Sequence, residues 1–292
     1  VARGLGVVVV ASAAVAGLMA AGGGRSAGAH PAAQGFAAAP TALPGANTNA
    51  VAQPLKGKIV GIDPGHNGNN RNDPGYLATL VWNGLEWEMC DTTGTATDSG
   101  YTEALFNFRV AEYLRADLIR DGARVVMTRN TNNGIGPCVN KRSFIINNFK
   151  ILKAHVNVAV DIHADGTDDM NTYKERGFAI LEPENPANPA HPENPLGDTL
   201  PNKKVLTSSA RLGADIRAAM LAGTSMPVSN YDGKNGIKHR DDLAGLNLTT
   251  VPKILIEVGN MRNATDAKLL TSAKFQQQVA RALLAAIIRF LR

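Results

Sequence analysis

The sequence predicts an α/β layer architecture built on a largely parallel sheet. Two observations carry this. Short apolar runs of strand length alternate with longer segments bearing a helical stripe, the pattern of strand–helix–strand crossovers. The composition also supplies a core, since 44% of the 292 residues are hydrophobic and 19% are charged. That balance excludes a wholly disordered chain, a collagen-like chain and a polytopic membrane protein.

The first element is a leader. Residues 5–21 are apolar and uncharged, Arg3 precedes them, and Ala27-Gly28-Ala29 follows as a small-residue cleavage site. This is the pattern of a secretory signal peptide over residues 1–29. The run also reaches the lower edge of membrane-spanning length, so a single anchor is the alternative, and its richness in Ala and Gly favours the signal. Residues 30–54 hold Ala, Pro, Gly and Asn without a charge and read as a disordered linker. The folded catalytic unit is expected over 55–292, in an oxidising compartment where disulfides persist.

Within that unit, Lys58–Asp63 is an apolar strand ending at Pro64-Gly65, and residues 64–100 are loop-rich. Glu103–Arg120 is a helix: Phe106, Val110, Tyr113, Leu114 and Leu118 form one stripe, and Asp121-Gly122 ends it. Arg124–Thr128 is a strand, Asn140–Leu152 a helix, and Val156–Ile162 a buried strand running into His163. Gly177–Leu181 is another strand. The Pro-rich stretch 182–206 reads as a loop insertion, because proline at nearly every third position removes backbone donors and blocks an α-helix. Val205–Leu221 is helical, Lys253–Val258 is a strand, and Asp266–Leu291 closes the chain with helices whose face holds Phe275, Val279, Leu283, Ile287 and Leu291.

Ligands of an open α/β sheet gather beyond the carboxyl ends of its strands. Three strands here end in groups that handle metals or protons: Asp63-Pro64-Gly65-His66, Asp161-Ile162-His163-Ala164-Asp165, and Ile256-Glu257-Val258-Gly259-Asn260. Glu103 opens the first long helix. Two His and one Glu with an open position form a common catalytic zinc shell, and a further carboxylate beside the metal's water serves as general base. His66, Glu103 and His163 suit the shell, and Glu257 suits the base. Singly, each has a plainer reading. A strand-end His is commonly a polar loop residue, and a first-turn Glu answers the helix macrodipole. Glu257, set among apolar neighbours, is harder to dismiss, since a buried carboxylate needs a partner.

The segments KIVGIDPGHNG, SGYTEALFNFRVAEYLRADL, VAVDIHADG and LIEVGNMRN, in that order, resemble the zinc-dependent N-acetylmuramoyl-L-alanine amidases over about residues 57–291. A Gly-Pro-Cys turn at 136–138 and a single exported catalytic domain resemble the mycobacterial type of that family. The resemblance implies Zn2+ on His66, Glu103 and His163, Glu257 as catalytic base, and a six-stranded twisted sheet flanked by helices. It implies cleavage of the amide between N-acetylmuramic acid and the L-alanine of the stem peptide in peptidoglycan or muropeptide fragments. It also places Arg142 and the turn Asp242–Asn247 beside the substrate groove, with Arg142 and Asn247 as substrate-binding residues.

Cys90 and Cys138, the two cysteines, flank Gly/Thr/Asn-rich loops of an exported chain and are expected to pair. The net charge of +5 is spread along the chain without a Lys/Arg block, which fits an acidic polymer and does not call for nucleic acid. A monomer without a membrane span after processing, active outside the cytoplasm with an open zinc site and no activator, is the expectation. His30, His155 and His191 have plain readings, whereas His239 stands near the Asp242–Asn247 turn.

Overall fold

The computed structural model describes residues 53–148, 155–167, 174–184 and 200–292. The expected leader, nearly all of the linker, residues 149–152 of the second expected helix, and 185–199 of the Pro-rich stretch lie outside these, as do His30 and His191.

In chain order the elements are β1 (Ile59–Pro64), α1 (Pro74–Leu77), β2 (Leu80–Trp82), β3 (Trp87–Met89), α2 (Glu103–Arg120), β4 (Arg124–Met127), α3 (Val139–Asn147), β5 (Val158–Asp165), β6 (Ala179–Pro183), α4 (Leu206–Gly223), β7 (Ile237–Arg240), α5 (Ala244–Asn247), β8 (Lys253–Asn260), α6 (Ala264–Leu270) and α7 (Ala273–Leu291). The main sheet has six strands in the order β4-β1-β5-β8-β6-β7. The first four run parallel, and β6 turns antiparallel against β8 with β7 parallel to it. The α/β class and the mostly parallel six-stranded sheet are therefore as the sequence predicts.

The period of two in the strands divides the sheet into two faces. Val60 and Ile62 of β1, Val158, Val160 and Ile162 of β5, and Ile254, Ile256 and Val258 of β8 join the large core beneath α2, α4 and α7. The stripe on α2 delivers Phe106, Val110, Leu114 and Leu118 to that core, fully buried, with Tyr113 packed at its edge. Ile59, Ala159 and Leu255 point to the opposite face, under α3 and α5, where the apolar clusters are smaller. The same alternation sends Asp63, Asp161, His163, Lys253 and Glu257 to that second face. Register sets Asp63 beside Asp161 and His163 beside Glu257.

Some boundaries differ from expectation. β5 continues past Ile162 to Asp165, so His163 lies within the strand and not after it. The strand expected at Gly177–Leu181 is β6, shifted to Ala179–Pro183 and including the first two residues assigned to the insertion. α4 ends at Gly223, two residues beyond the expected end. The loop-rich region contains a β2–β3 hairpin, and β7 and α5 form where the sequence shows no periodic run. These elements are three or four residues long, too short for a period to register.

Cys90 and Cys138 form a disulfide. It ties the end of the hairpin to the first turn of α3, where Val139 N–H also donates to the Cys90 carbonyl (2.8 Å). Both sulfurs are buried with Val81, Tyr76 and Val139. With a sequence separation of 48, a bridge of this loop length contributes roughly 3–4 kcal/mol in the chain-entropy account. The non-reduced, denatured protein should show no titratable thiol. Replacing both cysteines by serine should lower the melting temperature by roughly 10 °C, the shift such a loss gives in a domain of this size. Two titrating thiols, or an unchanged melting curve, would contradict the bridge.

Candidate metal centre and active site

β1 delivers its ligand through a sharp turn. After Pro64 the chain passes Gly65 and His66, and His66 adopts a left-handed backbone (φ 53°). A Cβ at Gly65 would collide with the His163 imidazole, so only glycine lets the ring lie across this turn. Arg129 and Arg142 grip the turn: Arg129 donates to the carbonyls of Pro64 and Gly65, and Arg142 to those of Pro64 and His66.

Glu103 is the first residue of α2, whose N-cap Thr102 accepts from the Leu105 N–H. Its carboxylate is buried at the positive end of the helix, a setting that favours the ionised form. Oε2 accepts from Thr95 N–H (2.9 Å), and Oε1 lies 2.9 Å from His163 Nδ1 and 3.3 Å from His66 Nε2. Gly94 passes so close that a Cβ there would sit 2.7 Å from both Glu103 Oε2 and the His66 ring. Burial pushes the Glu103 carboxyl up, but the two histidines more than offset this and hold it well below the usual range.

One ligand atom each from His66, Glu103 and His163 come within 4.8 Å of one another. The two imidazoles meet edge to face, centroids 4.9 Å apart. Each histidine is backed by a carboxylate on its other nitrogen. His66 Nδ1 lies 2.9 Å from Asp91 Oδ1, and His163 Nε2 lies 3.3 Å from Asp161 Oδ1. Burial pulls His66 down, yet Glu103 and Asp91 raise it to about 9. This donor set fits a divalent cation such as zinc: two imidazoles and one carboxylate converge, with a carboxylate hydrogen-bonded behind His66 and another at ion-pair distance behind His163. Metal binding there would displace the protons these histidines otherwise carry.

Glu257 on β8 stands next to His163 by register. Its Oε2 is buried without a hydrogen-bond partner among the described residues. Burial pushes its carboxyl up to about 8; His163 pulls down, and Glu103 and Asp165 push up. Asp165 in turn accepts from the Tyr231 hydroxyl (2.8 Å). His66, Glu103, His163, Asp165 and Glu257 line one open cleft of about 380 Å³. A second hollow of about 200 Å³ adjoins it, walled by Met89, Val139, Leu243, Leu246 and Leu255 with Glu88 among them. Burial raises Glu88 to about 7, and it accepts from the Ala244 N–H.

The two residues expected to bind substrate are both buried. Arg142 reaches the wall of the smaller hollow but is buried, and its five N–H groups donate to Pro137, Pro64 and His66 carbonyls and to Asp63 and Asp91. That commits its whole donor set within the protein. Asn247 is fully buried at the end of α5, where Nδ2 donates to the Asp241 carbonyl (2.6 Å) and closes the turn. Residues 243–246 of that motif, not Asn247, face the hollow. His155 is exposed ahead of β5, and His239 on β7 is exposed, 3.8 Å from Glu182 Oε2.

Sequence reasoning places Asp63 and Asp161 at the strand ends that carry the site but gives them no role, and it gives Asp91 and Lys253 no place there. Lys253 is 1% exposed, and its ammonium lies 2.7 Å from Asp63 Oδ2 and 3.2 Å from Asp161 Oδ2. Its one sequence signal is a lysine heading the apolar run ILIEV.

A family model described as N-acetylmuramoyl-L-alanine amidase matches residues 60–289. The chain is 34% identical over 237 residues to N-acetylmuramoyl-L-alanine amidase Rv3717 of Mycobacterium tuberculosis (strain ATCC 25618 / H37Rv), covering 81% of this chain and 88% of that protein. Among solved structures it is similar to the N-acetylmuramyl-L-alanine amidase Ami1 from Mycobacterium smegmatis (33% identity, TM-score 0.68, 81% of this chain and 98% of that one). The apo form of Ami1 from Mycobacterium abscessus is equally similar (33%, 0.68, 82% and 100%). With a family match over most of its length and a relative above 30% identity, this chain belongs to the N-acetylmuramoyl-L-alanine amidase family.

Proposed function

We propose that this chain is a zinc-dependent peptidoglycan amidase that cleaves the amide between N-acetylmuramic acid and the L-alanine of the stem peptide. It acts as a monomer outside the cytoplasm, delivered by the leader at 1–29, with the unit from 55 onward as catalytic domain. The observation that carries this reading is the meeting of His66, Glu103 and His163 with the unpartnered Glu257 oxygen in one open cleft.

His66 through Nε2, His163 through Nδ1 and Glu103 through its carboxylate are the groups that would hold the ion. When bound, zinc supplies a Lewis acid and brings the pKa of its water toward about 7. Glu257 does the proton work. Its carboxylate has an oxygen with no competing donor among the described residues, and burial raises its affinity for a proton above that of an ordinary glutamate. A group so tuned can take the proton of the attacking water and return it to the leaving amine. The Gly65 and Gly94 backbone, without side chains, leaves room for both imidazoles; Asp91 holds the His66 ring by a hydrogen bond, and Asp161 stands at ion-pair distance behind His163. The apolar hollow beside the cleft suits the methyl-bearing groups that flank the scissile bond.

The deciding assay is mass spectrometry of products from purified muropeptides. Free glycan with an intact stem peptide is expected, whereas cuts within the peptide would make the chain a peptidase. His66→Ala and His163→Ala should each lose stoichiometric zinc together with activity. Full zinc content in both variants, measured by elemental analysis, would refute the ligand assignment. Glu257→Gln keeps the side-chain size and should retain zinc while turnover falls by about two orders of magnitude, the scale of lost general acid–base catalysis. Turnover near that of the parent would remove Glu257 from the base role.

A further inference from the structure

The two metal-site histidines are joined at the back by an unbroken chain of alternating charge. It reads His66–Asp91–Arg142–Asp63–Lys253–Asp161–His163, with successive contacts of 2.9, 3.1, 3.1, 2.7, 3.2 and 3.3 Å. Every carboxylate in it spends one oxygen on each neighbour. Asp91 gives Oδ1 to His66 and Oδ2 to Arg142 and Asp63 gives Oδ1 to Arg142 and Oδ2 to Lys253, all as hydrogen bonds, whereas Asp161 sets Oδ1 against His163 and Oδ2 against Lys253 at ion-pair distance. Rotation of any one of them therefore breaks two contacts at once.

We propose that Asp63 is the shared positioning residue of both histidines, acting through Arg142–Asp91 on one arm and Lys253–Asp161 on the other, and that Lys253 is the positioning residue of the His163 arm. The inference rests on the metal reading given above and concerns how the site is held.

Three features support it. The histidines present different nitrogens to the common point, Nε2 from His66 and Nδ1 from His163, so each ring must be held in its own orientation. A carboxylate on the far nitrogen fixes ring angle and tautomer, but only if the carboxylate itself cannot turn. Asp63 supplies that restraint from a fully buried place at the end of β1, with Thr128 Oγ1 donating to it (2.6 Å). The chain is also sealed from water: its interior side chains, Asp91, Arg142, Asp63, Lys253 and Asp161, are 0–7% exposed. Gly245 lies directly over the Lys253–Asp161 contact, where an added Cβ would sit 3.2 Å from Asp161 Oδ2. Arg142 has further duties on the Pro137, Pro64 and His66 carbonyls, so Asp63 and Lys253 are the positions that isolate the effect.

The test uses metal-free full-length protein, wild type beside Asp63→Asn and Lys253→Met, with far-UV circular dichroism to verify the fold. Zn2+ affinity is measured by competition with a chelator, and Co2+ is titrated to read the ligand field from its visible absorption. Asp63→Asn leaves two matched ion pairs behind, so it suits a folded variant. Both variants should bind Zn2+ about 10- to 100-fold more weakly, the loss seen when the groups behind metal ligands are removed. Both should also shift the Co2+ bands, which a residue serving stability alone would leave in place. Should a single variant fail to fold, Asp161→Asn with Lys253→Met removes one charge of each sign and is read the same way. Folded variants with wild-type affinity and an unchanged Co2+ spectrum overturn the inference alone. A wild-type protein that holds neither ion overturns the metal reading, and the inference with it.

Discussion

The carboxylate of Asp63, fully buried between Arg142 and Lys253, is the constraint around which this molecule is arranged. Burial alone would push that carboxyl up; the two cations reverse this and hold it far below the ordinary aspartate range. Ion pairs of this kind are poor sources of net stability, since desolvation offsets most of the attraction. Breaking one, however, costs about 3–5 kcal/mol, because a charge is left behind without a partner. The arrangement is thus close to all-or-none. β1 lies between β4 and β5, so the end of that strand is enclosed on both sides, and α3 and α5 cover the face from which Asp63 projects. The smaller apolar clusters on that face follow from this, because its strand ends are occupied by charge.

The same environment shifts two carboxylates that share a cleft in opposite directions. Glu103, at a helix start and against two imidazoles, is kept ionised. Glu257, buried with an oxygen unpartnered among the described residues and with the acids Glu103 and Asp165 nearby, holds a proton more tightly than Glu103 does. Separating the proton affinities of neighbouring acids is how a fixed fold obtains both a ligand and a base from one residue type. The disulfide contributes at one remove, because Asp91 follows Cys90 directly and Arg142 lies in the helix that Cys138 begins.

Much of this was legible in the sequence. The stripe on α2 and the apolar runs of β1, β5 and β8 obey simple periods, and the groups at their ends gather because parallel strands place their carboxyl ends together. The support behind the histidines was not legible, for a physical reason. Lys253 looks like an ordinary polar strand start until Asp63, on another strand and 190 residues away in sequence, supplies its partner. For Arg142, nothing local reveals that five acceptors from separate segments take all its donors. The hairpin, β7 and α5 escaped notice because they are held by pairing and packing across the fold and not by propensities of their own.

The left-handed backbone at His66 carries a conformational cost. A side chain in that conformation costs about 1 kcal/mol that glycine would not incur. The backbone alone would therefore draw position 66 toward glycine, and the buried contact of the His66 ring with Asp91 opposes it. A histidine held in this conformation is therefore kept by what its ring touches, and a substitution that loses the ring loses the reason for the strained turn.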